Sequence, residues 1–205
     1  MTIRLYGVRG WGSAISEGML ALAGQSYDFV DVQGFDHPGP ARDRLAAVNP
    51  LVQVPTLVLD DGTVMTETAA IALYLSDRAP GLAPAIDTPD RSGFYRLLIW
   101  LVANVYPTFT YGDYPERWAP SAAGELLAST DRYREALYHW LEDQVAGPFV
   151  LGDQSCALDI YIAVMVAWRP GGPWFKQNTP KLVKIAERTR QIPAINAVMA
   201  ANSGA

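Results

Sequence analysis

The 205-residue chain holds a single cysteine, Cys156, and only two histidines, His37 and His139. One thiol excludes an internal disulfide and any multi-cysteine metal site. Two histidines far apart on unlike segments give zinc no ligand set, so no metal is expected. No apolar run approaches the ~20 residues that cross a bilayer, so no membrane partner is expected. Blocks of one charge are missing too: 16 basic and 21 acidic side chains are mixed along the chain, for a net charge of −5. Without a basic stripe, nucleic acid is not an expected partner. The opening Met1-Thr2-Ile3-Arg4-Leu5-Tyr6 lacks the basic start and apolar core of a signal peptide and reads instead as a strand, so the cytoplasm is the expected compartment. Internal repeats and low-complexity segments are also absent.

What is present is a change of pattern near residue 80. Before it, short β-forming runs alternate with helical stretches. Strands are predicted at 2–7, 27–32, 54–59 and 63–65, the last two joined by the Asp61-Gly62 turn. Helices are predicted at 14–23, 41–48 and 67–79. Ser13 is placed to cap the first helix, Glu17 lies in its favoured first turn and Gly24 stops it. The order is βαβαββα. Pro80-Gly81-Leu82-Ala83-Pro84 opens a linker over 80–87, and 88–205 reads as all helix, with segments near 88–118, 121–145, 156–169, 180–190 and 193–201. Pro107 is expected to kink or break the first of these, and Gly171-Gly172-Pro173 to form a turn between two helices.

Two short segments carry the chemistry. In Asn49-Pro50-Leu51-Val52-Gln53-Val54-Pro55-Thr56-Leu57, a proline enters a strand, where its missing N–H confines it to starts, edges and bulges. A cis bond at Pro55 would turn the Val54 backbone outward, leaving it for an extended peptide ligand to pair with. A trans proline ending a loop is the plainer alternative. In Thr66-Glu67-Thr68-Ala69-Ala70-Ile71, a helix begins after a tight turn. Its free N–H groups and the Thr68 hydroxyl suit a carboxylate, and Glu67 suits an ammonium group. Together they match the α-carboxylate and α-amine of an amino acid. An ordinary N-terminal cap is the alternative.

In order and spacing these segments, with Asp61-Gly62 between them and Tyr74-Leu75 beyond, resemble the glutathione site of cytosolic glutathione S-transferases of bacterial type. The resemblance implies a thioredoxin-like N-terminal domain over 1–79, binding glutathione as co-substrate, and an all-helical domain over 88–205 that forms a pocket for a hydrophobic second substrate. It implies that the Val54 backbone, before Pro55, pairs with the cysteinyl part of glutathione. Glu67 and Thr68 hold the γ-glutamyl end, Gln53 lies near the glycyl end, and Arg42 or Arg44 serves the glycyl carboxylate. Phe149-Val150-Leu151-Gly152-Asp153 and Cys156-Ala157-Leu158-Asp159 resemble the family's capping box and buried aspartate. Cys156 stands where the family places Ser or Thr, so Ser155 is a candidate cap shifted by one. A homodimer is also implied.

By the same resemblance, the group that stabilises the glutathione thiolate sits just after the first strand. A thiol pKa near ~8.5 must fall by ~2 units, which takes ~2.7 kcal/mol. In Tyr6-Gly7-Val8-Arg9-Gly10-Trp11-Gly12-Ser13-Ala14-Ile15-Ser16, the first candidate is Ser13 at the helix start, followed by Ser16 and then Tyr6, with Gly12 permitting close backbone approach. No cysteine stands here, which argues against a mixed disulfide through a protein thiol. Gly10-Trp11-Gly12 is not a dinucleotide fingerprint, because Ile15 replaces the third glycine. For the second-substrate pocket the candidates are Trp11 and Gly12 with Tyr106, Thr110, Tyr114 and Trp168; Tyr106, Thr110 and Tyr114 share one helix face if the helix survives Pro107. The expected activity is attack of the thiolate on a hydrophobic electrophile. The alternatives are glutathione-dependent reduction, peroxidase action or ether cleavage at the same site, and a non-catalytic binding protein on the same fold.

Overall fold

The computed structural model describes residues 2–203. Two compact units are formed: one joins residues 2–83 to the C-terminal segment 187–203, and the other comprises residues 84–186. The expected division assigned everything after 87 to the helical domain; the last helical segment instead packs with the first unit.

The first unit contains β1 (Ile3–Gly7), α1 (Ser13–Leu22), β2 (Tyr27–Asp31), α2 (Pro40–Ala46), β3 (Thr56–Val58), β4 (Val64–Met65) and α3 (Thr68–Ser76). The four strands form one sheet in the order β2-β1-β3-β4. β1 and β2 run parallel, while β3 is antiparallel to both β1 and β4. This is the thioredoxin-like arrangement. Every residue of α1 from Ser13 to Leu20 is buried, the all-round burial of a helix covered on more than one side. Its neighbours are β1, α3 and the returning C-terminal helix, numbered α11 below. Gly7 is required where β1 leaves the sheet: a Cβ there would lie 2.4 Å from the Ser13 Cβ.

Two local expectations at α1 change. The helix starts at Ser13, and its N-cap is Gly12, with no side-chain cap. Glu17 lies beyond the first turn and is drawn into the interior by partners described below, so it does not serve the helix dipole.

The second unit contains α4 (Asp90–Trp100), a π-helical turn (Leu101–Val105), α5 (Tyr106–Gly112), α6 (Pro115–Trp118), α7 (Ala123–Gln144), α8 (Ala157–Met165) and α9 (Gly172–Asn178), followed by the start of α10 (Pro180–Arg190). The chain then ends in α11 (Pro193–Asn202) in the first unit. The long helix expected over 88–118 is thus divided. Pro107 does not break it: helical turns run from Asp90 to Gly112, and a π turn ends immediately before the proline's neighbour Tyr106, whose N–H reaches the Leu101 carbonyl. Widening the helix there accommodates a ring that has no N–H to give. The turn expected at 171–173 initiates a helix instead, with Pro173 in its first turn.

α8 is nearly all apolar and fully buried. Cys156 caps it in a reciprocal box: its sulfur accepts the Asp159 N–H, and the Asp159 carboxylate accepts the Cys156 N–H at 2.7 Å. Ser155 is not the cap. The other Asp159 oxygen accepts the Val150 N–H at 2.8 Å, tying the preceding loop to the helix. In α7 the buried Arg134 donates from Nε to Thr108 Oγ1 at 2.8 Å, from Nη2 to Thr108 O at 2.7 Å and from Nη1 to Asp131 at 2.9 Å. Those bonds satisfy a charge that would otherwise be costly to bury.

Candidate active site

The strand register brings three loops to one end of the sheet. Tyr6 pairs with Thr56, and Leu57 pairs with Met65. The C-terminal end of β1, the N-terminal end of β3 and the C-terminal end of β4 therefore coincide. The β1–α1 loop, the 49–55 loop and the β4–α3 turn all leave from there.

The Val54–Pro55 bond is cis. β3 begins only at Thr56, and neither the N–H nor the carbonyl of Val54 has a partner among the described residues. The Val54 side chain packs against the apolar cluster of Tyr6, Val8, Val32, Phe35, Leu45 and Val58, which anchors the residue while its backbone stays open. The loop is held by Asn49, buried, whose Nδ2 donates to Gln53 O at 3.2 Å and Thr56 Oγ1 at 3.0 Å, and whose Oδ1 accepts the Leu51 N–H at 3.1 Å. Thr56 Oγ1 donates to Gln53 O at 2.8 Å. Gln53 itself is exposed.

Across the hairpin, Glu67 is exposed and is the N-cap of α3, with φ 63°. The N–H groups of Thr68, Ala69 and Ala70 have no acceptor among the described residues, and Glu67 does not cap them. They form a bare helix N-terminus beside an exposed carboxylate, a pairing suited to a zwitterionic amino-acid group. Among the described residues only Val52 and Glu67 are non-glycine residues at positive φ, 53° and 63°. Both lie in these two segments. Such conformations cost of order 1–3 kcal/mol and cluster where a ligand is held.

The thiolate candidates are distributed differently. Ser13 is fully buried; its hydroxyl donates to Val8 O at 2.6 Å and accepts the Val8 N–H at 3.0 Å. Its one proton is thus committed to closing the loop. Ser16 is fully buried, with an unpartnered Oγ. Tyr6 belongs to the apolar cluster beneath the Val54 loop. Gly12 is half-buried, and Trp11 is exposed, edge-on to Phe35 with ring centroids 5.8 Å apart. Arg42 donates to the Phe35 carbonyl at 3.2 Å, and Arg44 is exposed.

In the second unit, Tyr106 meets Trp168 edge-to-face at 6.2 Å. Thr110 is exposed on α5, and its carbonyl accepts Trp118 Nε1 at 3.0 Å. Tyr114 lies beyond the end of α5, as the N-cap of α6, and Arg117 stacks over its ring at 4.0 Å. The expected face of Tyr106, Thr110 and Tyr114 is therefore cut after Thr110, because α5 ends at Gly112.

A polar cluster behind the β1–α1 loop was missed by sequence reasoning. The buried Glu17 accepts from Arg9 Nη1 at 2.5 Å, Tyr27 Oη at 3.0 Å and Asn202 Nδ2 at 2.9 Å, and Asn202 Oδ1 accepts the Gly10 N–H at 2.8 Å. Arg9 also lies over the Phe29 ring at 3.8 Å. Burial, followed by the neighbouring Glu17 carboxylate, pushes the Tyr27 phenol well above its ordinary value. Glu17 in an otherwise apolar helix was the one available signal; its partners are 8, 10 and 185 residues away.

The family model for the glutathione S-transferase N-terminal domain matches residues 17–78. The chain is 51% identical over 201 residues, 98% of both chains, to YncG of Escherichia coli (strain K12), an uncharacterized GST-like protein. It is 29% identical over 174 residues to the glutathione S-transferase GstA of Escherichia coli O157:H7, covering 81% of this chain and 82% of that one. Among solved structures, a sphingomonad glutathione S-transferase complexed with glutathione superposes with TM-score 0.80 and 28% identity, over 98% of this chain and 100% of that one. The chain belongs to the glutathione transferase family.

Proposed function

We propose that the protein binds glutathione along the Val54 backbone and uses its thiolate to attack a hydrophobic electrophile. The observation that carries this reading is the Val54 backbone, open on both its N–H and its carbonyl, at the same sheet end as the uncapped α3 N-terminus and Glu67. The tripeptide pairs with Val54 as an added strand. Its γ-glutamyl carboxylate meets the N–H groups of Thr68 to Ala70, and its amine meets Glu67. Gln53 and Arg42 or Arg44 serve the glycyl end.

The sulfur then lies toward the start of α1. The positive end of that helix, at Gly12, favours thiolate over thiol. Ser13 serves by holding the loop through Val8. Trp11 and Gly12, beside the sulfur, are the first unit's candidates for contact with the second substrate; Tyr106, Thr110, Tyr114 and Trp168 are the candidates that the second unit carries. The protein works as a cytoplasmic homodimer in this reading.

Titration calorimetry with glutathione, followed by assays against aryl halides, epoxides, peroxides and aryl ethers, tests the proposal. Binding at micromolar to millimolar levels and conjugate formation support it. Turnover of peroxides or aryl ethers alone moves the protein to the reductase or ether-cleaving alternative. Binding without turnover leaves a silent binding protein, and no heat with millimolar glutathione ends the reading.

A further inference from the structure

The β1–α1 loop is fastened from the far end of the chain. Asn202, in the last turn of α11, uses both ends of its side-chain amide: Oδ1 accepts the Gly10 N–H at 2.8 Å, and Nδ2 donates to Glu17 Oε2 at 2.9 Å and to Val198 O at 2.9 Å. Only one amide orientation meets those demands, because a flipped group would place a donor against the Gly10 N–H and an acceptor against the carboxylate. Glu17 is fully buried, and its other oxygen gathers Arg9 and Tyr27. The clasp therefore holds Arg9 by its side chain and Gly10 by its backbone, the two residues before Trp11. Gly10 has φ 77°, so the chain turns sharply where it is gripped. On the other side of the turn, Ser13 grips Val8. Within this loop Trp11 is exposed, and Gly12 is half-buried beside it.

We infer that Asn202 and Glu17 are positioning residues: through Gly10 and Arg9 they set where Trp11 and Gly12 meet the substrates, making the C-terminal helix part of the thiolate-activating apparatus. This rests on the proposed function, since it concerns how the thiol is ionised. It adds that a residue nearly two hundred positions away governs that step. Removing the clasp leaves the Val54 and Glu67 contacts in place, so affinity and thiol ionisation should respond separately.

The test uses Asn202→Ala in the full-length chain with three readouts. Hydrogen exchange at the Gly10 to Gly12 amides, without ligand, should accelerate by about tenfold when the Gly10 bond is lost. Glutathione affinity by calorimetry should change by less than about threefold. The ultraviolet thiolate band of the glutathione complex, titrated against pH, should shift upward by about half a unit to one unit. Glu17→Gln, which retains shape but loses the charge facing Arg9, should move the band in the same direction. Unchanged exchange at Gly10, or faster exchange with an unmoved thiolate titration, overturns the inference while leaving the proposed function standing. A wild-type protein that takes up no glutathione overturns the parent reading and the inference with it. If Asn202→Ala does not fold, Asn202→Asp answers the same question: it keeps the acceptor for Gly10 but sets a carboxylate against Glu17. A thiolate titration like that of the wild type in that variant also overturns the inference.

Discussion

Glu67 and Ser13 each give a direct test of the site at the level of one side chain. Glu67 sits at φ 63°, where an L side chain is strained. Glu67→Gly should raise stability by ~0.5–1 kcal/mol in urea denaturation. Under the proposed function the same change should weaken glutathione binding by about ten- to hundredfold, since a charge-assisted bond is lost. A residue gaining stability while losing ligand is what a strained binding position predicts; a loss of both would make Glu67 structural. Ser13→Ala removes both hydrogen bonds to Val8 and leaves that N–H buried without a partner. It should cost ~1–3 kcal/mol of stability and raise the thiol titration of the glutathione complex. A variant with wild-type stability would remove the loop-closing role.

Among the elements, the loop before β3 and the turn before α8 are each organised by one buried polar side chain. Asn49→Ala leaves the Thr56 hydroxyl and the Leu51 N–H short of a partner and should destabilise by ~1–3 kcal/mol. Because Val54 rides on that loop, a parallel fall in glutathione affinity is expected by calorimetry. Asp159 makes a prediction about pH. Burial, the largest influence, raises its carboxyl from 3.8 to about 6, against the N–H donors of Val150 and Cys156. The folded value lies above the unfolded one, so the native state holds the proton more tightly. The associated stabilisation is fully present below about pH 4 and is lost as pH rises through about 6. Denaturation midpoints of Asp159→Asn should therefore fall less between pH 4 and 7 than those of the wild type. A parallel pair of profiles would assign the pH dependence elsewhere.

Much at this scale was legible because it is local. Asn49 to Leu57 and Thr66 to Ile71 are continuous segments, and proline, glycine and alternating apolar residues act on their own neighbours. Cys156 and Asp159 are three residues apart, so their reciprocal bonds follow one turn of helix, although the thiol concealed the cap. The π turn before Pro107 was not legible. It is one of several ways a helix accommodates a missing N–H, and packing selects among them. The grip of Asn202 on Gly10 spans 192 residues and depends on where α11 docks. No periodicity in either segment encodes that.

At the scale of the molecule, the return of the chain to its first unit is the main departure from a simple two-part reading. α11 buries Ile195 and Val198 and packs along α1. A chain ending at Ala186 should lose ~3–6 kcal/mol from those two side chains alone, enough to erase much of a typical domain's stability. Its thermal transition should be broad or absent; a cooperative transition near that of the full chain would show that α1 needs no such cover.

That return also orders events during synthesis. The sheet, the Val54 loop and the α3 turn leave the ribosome before Asn202, which fastens the Gly10 turn and follows the end of α3 by roughly 125 residues. At ~5–20 residues per second, that is a wait of roughly 6–25 s. Throughout it, α1 stands with one flank bare, so the sheet and its loops, though translated earlier, wait on the later arrival of α11 to mature.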